Sequence, residues 1–90
     1  MLQSVAITVK GKVQGVFFRQ TTRETAVRLG ITGEVKNLPD GDVSIIATGT
    51  EEQLKELTAW CHQGPKRASV SQVIVEKIPV RSFSGFTVVR

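Results

Sequence analysis

Between Ser4 and Leu29 the apolar residues change their spacing, and that change dictates a strand and a helix within one short stretch. From Ser4 to Lys10 the pattern alternates, with Val5, Ile7 and Val9 on one side and Ser4, Ala6, Thr8 and Lys10 on the other. That is a half-buried strand. From about Phe18 to Leu29 the spacing becomes helical, with Phe18, Thr22, Ala26 and Leu29 on one stripe. Gly30 is a natural stop, and Ile31 can pack back onto the last turn. Between the two periods lies Gly11-Lys12-Val13-Gln14-Gly15-Val16-Phe17-Phe18-Arg19, with two glycines and an arginine where the helix should begin. A loop of this kind turns several backbone N–H groups toward one point and sets a guanidinium beside them, which suits a phosphate.

The rest of the chain continues the two periods. Ile31, Gly33, Val35 and Asn37 share one face of a second strand, and Val43, Ile45 and Ala47 one face of a third. Leu38-Pro39-Asp40-Gly41 between them reads as a type I turn, so the pair is a hairpin. Thr50-Glu51-Glu52-Gln53 is a capping-box start to a second helix, with Leu54, Leu57 and Cys61 as its buried stripe and Trp60 on its flank. Gly64-Pro65 ends it. Ser69 to Ile78 is rich in Val and Ile and reads as a strand; a polar connection and a short strand from Phe86 to Arg90 follow. The order is β-α-β-β-α-β with a terminal strand. It predicts an α+β, ferredoxin-like sandwich: an antiparallel sheet, two helices on one face, and the third strand between the first and second.

Ninety residues support one domain, residues 1–90, with one modest core. Hydrophobic content of 40% and charged content of 22% argue against disorder. No apolar run approaches the roughly 20 residues a membrane span needs. No secretory signal is read at the N-terminus, and a single cysteine permits no internal disulfide. A cytoplasmic protein is the expectation. The net charge of +4 favours an anionic partner, and Lys10, Lys12, Arg19 and Arg23 cluster around the loop. Charge alone does not separate nucleic acid, a membrane surface or a small phosphorylated molecule.

Topology narrows the choice. Strands joined by a crossover helix run in the same direction, so the first two strands end at the same edge of the sheet. The 11–19 loop leaves one, and Asn37 ends the other, two strand spacings or roughly 9–10 Å away. Backbone N–H groups of Gly15 to Phe18, the helix N-terminus and Arg19 all favour a dianion. Asn37 offers both an acceptor and a donor, and so can hold a water for attack. No general acid or base stands near either stretch, which limits the chemistry to a good leaving group.

The 11–19 stretch resembles the phosphate-loop signature of the acylphosphatase family, and Gly33-Glu34-Val35-Lys36-Asn37 with Asp40-Gly41 and Val43 resembles its second signature. The resemblance covers essentially the whole chain. It implies hydrolysis of the carboxyl–phosphate bond of acyl phosphates without a metal or organic cofactor. Gln14, Gly15, Val16, Phe17, Phe18 and Arg19 then bind the phosphate, with the Gln14 side chain given no role beyond shaping the loop. Arg19 and Asn37 are the catalytic pair, Asn37 orienting the water, whose proton passes to a substrate phosphate oxygen. Inorganic phosphate is expected as product and inhibitor, and a monomer is expected. Glu34 occupies a position that is often aromatic in the family; its parity puts it on the face opposite Asn37.

Two other readings compete. RNA-recognition domains share this element order, but they stack bases on aromatics of the first and third strands. Here Ser4 to Lys10 and Val43 to Thr48 contain none, so a nucleic-acid partner is disfavoured. A regulatory domain that binds an anion without turning it over keeps the same loop. Cys61, His62 and Trp60 read as structural, and Asp40 and Asp42 as hairpin residues.

Overall fold

A computed structural model describes residues 1–90. Its elements are β1 (Gln3–Lys12), α1 (Phe18–Leu29), β2 (Thr32–Asn37), β3 (Val43–Gly49), α2 (Glu51–Gln63), β4 (Ser69–Ile78) and β5 (Phe86–Val89). They form a five-stranded sheet in the order β4-β1-β3-β2-β5. β3 lies between β1 and β2, as the split βαβ pattern requires. Ile7 pairs with Ile45, Val9 with Val43 and Val35 with Ile45, so one parity of the sheet is buried beneath the helices. Phe18, Ala26, Leu54, Leu57 and Cys61 complete that core from the helix side. The fold is α+β and ferredoxin-like.

Each predicted boundary has a local cause. α1 stops at Gly30, which takes φ 79°, and the Ile31 N–H reaches back to the Ala26 carbonyl at 2.9 Å. α2 starts at a complete capping box: Gln53 N–H donates to Thr50 Oγ1 at 3.2 Å, and Thr50 N–H donates to Gln53 Oε1 at 2.8 Å. In the β2–β3 hairpin the Gly41 N–H donates to the Leu38 carbonyl at 3.1 Å, leaving Pro39 and Asp40 central. The rings of Phe18 and Trp60 pack tilted at 5.3 Å between centroids, joining the two helices.

Three features depart from the expectation. β1 runs on to Lys12 through a register shift between Lys10 and Gly11, so the connection to α1 is only Val13 to Phe17. Thr25, rather than Leu29, joins the buried stripe of α1, while Leu29 packs half-buried at its margin. The sheet is also not wholly antiparallel, because β5 runs parallel to β2. The connection from β4 explains this. β4 ends beside Ser4, at the end of the sheet where β1 and β2 begin. The chain then crosses to the far edge, and a strand starting from that end must run with β2. The crossing is tied down at a buried hydroxyl pair. Thr48 Oγ1 donates to the Arg81 carbonyl at 2.7 Å, Arg81 N–H donates to Ser4 Oγ at 2.9 Å, and Ser4 donates its own proton to Thr48 Oγ1 at 2.6 Å.

Candidate active site

The Val13–Phe17 connection is shaped by where its side chains go. Val13, Val16 and Phe18 are buried in the core, so the chain is drawn inward at three points. Gly15 and Phe17 between them turn outward with φ of 73° and 64°. A left-handed conformation is free for glycine but costs a phenylalanine about 1–2 kcal/mol. The Phe17 ring gains little burial in return, being 69% exposed. The backbone therefore holds this shape against its own preference, as functional loops do.

That shape leaves donors unspent. Gln14, Gly15, Val16 and Phe17 make no backbone N–H bonds, since none lies in an element and none donates in the loop bonds. Phe18, Arg19 and Gln20 form the first turn of α1, where no carbonyl lies one turn back within the helix. The N-cap, Phe17, has no side chain to cap them, and the first turn contains no acidic residue. Unspent donors at a helix N-terminus without an acidic residue suit an anion.

Arg19 projects from that first turn, and its Nη1 donates to the Val89 carbonyl at 3.4 Å. Asn37, the last residue of β2, is half-buried. Its Oδ1 is buried without any hydrogen-bond partner. Such an atom costs roughly 1–3 kcal/mol, and native proteins seldom keep one without a use. Gly15, Phe17, Phe18, Arg19 and Asn37 line one cavity of about 310 Å³, together with Val13, Gln20, Val88 and Arg90. The sheet edge thus brings the loop and the end of β2 together, as the topology required.

Some expected positions do not reach the cavity with their side chains. Val16 is 3% exposed and sits in the core, so only its backbone is available. Gln14 turns away, donating from Nε2 to the Leu38 carbonyl at 2.8 Å and to the Asp42 carbonyl at 2.9 Å. The basic cluster also separates. Lys10 Nζ pairs with Asp42 Oδ2 at 2.6 Å, a contact that raises its pKa through the hydrogen bond first and the opposite charge second. Arg23 Nε donates to the Phe86 carbonyl at 3.0 Å. Of the four, Arg19 alone lines the cavity, and a charge the sequence pattern did not point to, Arg90, joins it from beyond β5. Arg90 and Val88 were hidden because their place depends on β5 crossing to the edge beside β2. Cys61 and His62 stand apart on α2, and burial pushes the Cys61 thiol up to about 12.

With this geometry in view, the relatives are consistent. A family model described as acylphosphatase matches residues 5–88. An acylphosphatase of Marinobacter nauticus is 49% identical over 81 residues, covering 89% of this chain and 88% of its own. One from Pseudomonas paraeruginosa is 51% identical over 82 residues, covering 91% and 90%. Among solved structures, an acylphosphatase from Coxiella burnetii superposes with a TM-score of 0.94 at 46% identity, covering 97% of this chain and 92% of that one. The Bacillus subtilis acylphosphatase gives 0.94 at 32% identity over the full length of both chains. The chain belongs to the acylphosphatase family, hydrolases of acyl phosphates.

Proposed function

We propose that residues 1–90 act as one catalytic unit in which the 14–19 stretch and Arg19 hold the substrate phosphate and Asn37 orients the attacking water. The backbone N–H groups from Gln14 to Arg19 and the fork of Arg19 take the phosphate oxygens, the fork binding two at once. The observation that carries the reading is the buried, unpartnered Oδ1 of Asn37 in the same cavity as Arg19. It can accept a hydrogen bond from one O–H of a water and aim that water's lone pair at phosphorus.

The water oxygen then bonds to phosphorus as the bond from phosphorus to the acyl oxygen breaks. The carboxylate leaves with the bonding pair, already stable as an anion, and needs no acid. The water's proton passes to a phosphate oxygen, so no protein base is needed. Charge that develops on the phosphoryl oxygens meets donors already in place. The donor set is entirely N–H, and the proposed reaction requires no metal or organic cofactor.

Hydrolysis of acetyl phosphate in the presence of a chelator, run in ¹⁸O-labelled water, tests the mechanism. Turnover continues and the label enters inorganic phosphate. A strict need for added Mg²⁺, or label in the carboxylate, overturns it. Inorganic phosphate competes with substrate as product and inhibitor. The protein is proposed to act as a monomer in the cytoplasm, where a free buried thiol such as Cys61 stays reduced. No helix is long and apolar enough to cross a membrane. Neither a membrane nor a nucleic acid is a proposed partner; β1 and β3 carry no aromatic residue on which a base could stack.

A further inference from the structure

We propose that Gln14 is a positioning residue: its side-chain amide braces the phosphate loop against the β2–β3 turn and so sets the place of Asn37 relative to the bound phosphate. The inference rests on the assignment of Asn37 as the water-orienting residue.

The geometry is that of a brace rather than a ligand. A glutamine amide has two N–H donors. Both are spent, one on the Leu38 carbonyl at 2.8 Å and one on the Asp42 carbonyl at 2.9 Å. The remaining amide oxygen is an acceptor and has nothing to offer a phosphate. The two carbonyls lie on opposite arms of the hairpin. They belong to the residue just after Asn37 and the residue just before Val43, and Asn37 and Val43 are themselves register partners. The arms are joined there by a bond from Leu38 N–H to the Asp42 carbonyl at 2.8 Å. One side chain from the loop therefore grips both arms one residue beyond Asn37.

The hairpin end is otherwise well built. Asp42 N–H donates to Asp40 Oδ1 at 3.0 Å, and the Asp42 carboxylate takes the Lys10 ammonium. Lys10 joins β1 to the same turn, but it does so before the loop begins. Gln14 alone ties the loop itself to the turn, and it lies between Val13 and Gly15, two loop residues that line the cavity. Without it, loop and turn meet only through the sheet. A displacement of 1 Å between reacting groups costs about 10²-fold in rate. A phosphate held by the loop does not depend on the turn, so loss of the brace should lower kcat and spare phosphate affinity.

The test is a double-mutant cycle on acetyl phosphate hydrolysis, with kcat, KM and the inhibition constant of inorganic phosphate measured for Gln14→Ala, Asn37→Ala and the pair. Gln14→Ala is expected to lower kcat about 10-fold, within the range such displacements produce, with phosphate inhibition essentially unchanged. Combined with Asn37→Ala it should add nothing, because a positioning residue has no effect once its object is gone. Gln14→Met keeps the length and packing, loses both donors, and replaces Gln14→Ala should the latter not fold. Lys10→Met is the structural control: it removes the other tie to the turn and should lower Tm while leaving kcat intact. Multiplicative losses in the pair, a loss confined to KM and phosphate affinity, or an unchanged kcat in both Gln14 variants would overturn the proposal. An Asn37→Ala enzyme with the parent kcat would instead overturn the reading of Asn37 itself.

Discussion

Arg19 Nη1 donates to the backbone carbonyl of Val89 at 3.4 Å, so the guanidinium proposed to bind phosphate is steadied by the C-terminal edge strand. A guanidinium has five N–H donors, and one such bond leaves a fork for the ligand. Lysine offers a point charge on a flexible stem and cannot do both. Arg19→Lys should therefore weaken phosphate inhibition and lower kcat/KM, each by roughly 10-fold or more, the scale of a lost charge-assisted hydrogen bond. Arg19→Ala should lose more of both. Steady-state kinetics with phosphate as competitor decide it; parent-like inhibition in Arg19→Ala would remove the residue from the site.

The role proposed for Asn37 couples activity to a local cost. Its Oδ1 is buried without a partner, and the side chain makes no hydrogen bond that truncation would break. Asn37→Ala should lose on the order of 10²-fold in kcat, the scale of a preorganised dipole and a positioned water. Phosphate inhibition should persist. The folded state should be unchanged or more stable by about 1 kcal/mol, because a buried orphan acceptor has gone. A calorimetric Tm beside the kinetics checks both halves. A marked loss of stability would mean that Asn37 makes a structural bond.

The sheet edge that hosts these residues was legible because it follows from periodicity and connection rules. Val5, Ile7 and Val9 set one strand, Val35 and Asn37 share a parity in another, and the crossover helix makes both end together. The loop was legible through Gly15 and Arg19. What stayed hidden were contacts that depend on exact three-dimensional placement. The Gln14 amide looks the same in sequence whether it faces a ligand or two carbonyls. Arg90 and Val88 reach the cavity only because β5 pairs with β2, and nothing local to Phe86–Arg90 specifies that edge. Lys10 read as part of an anion-binding field, yet its charge is largely answered by Asp42 across the sheet.

Gly33 shows how tightly β2 is held above Asn37. It takes φ 150°, and a Cβ placed there would lie 1.9 Å from the Ile46 carbonyl oxygen. Its N–H donates to the Gly85 carbonyl at 3.0 Å, where the chain enters β5. Neighbouring backbone cannot yield as a flexible side chain can. Gly33→Ala should cost at least about 2 kcal/mol, within the range for a disallowed conformation before the clash is added. For a domain of this size that is a fall in Tm of roughly 10 °C. Thermal unfolding measures it, and a parent-like Tm would show that β2 can shift freely along β3.

Cys61 gives the protein a pH signature. The thiol is fully buried, and desolvation raises its pKa from 9.0 to about 12. In the unfolded chain it ionises near 9, so between these values the folded state binds more protons than the unfolded one. Stability from this source is complete below pH 9 and declines as pH rises toward 12. Lys10, whose pKa is also raised, adds its own loss only above its ordinary value of 10.5. Denaturant unfolding between pH 8 and 10 therefore isolates the thiol. The parent should lose stability over that interval, and Cys61→Ala should lose less. In the same window a thiol-reactive disulfide should label native protein only as fast as the core opens, and labelling in step with the free thiolate fraction would show that Cys61 is accessible after all.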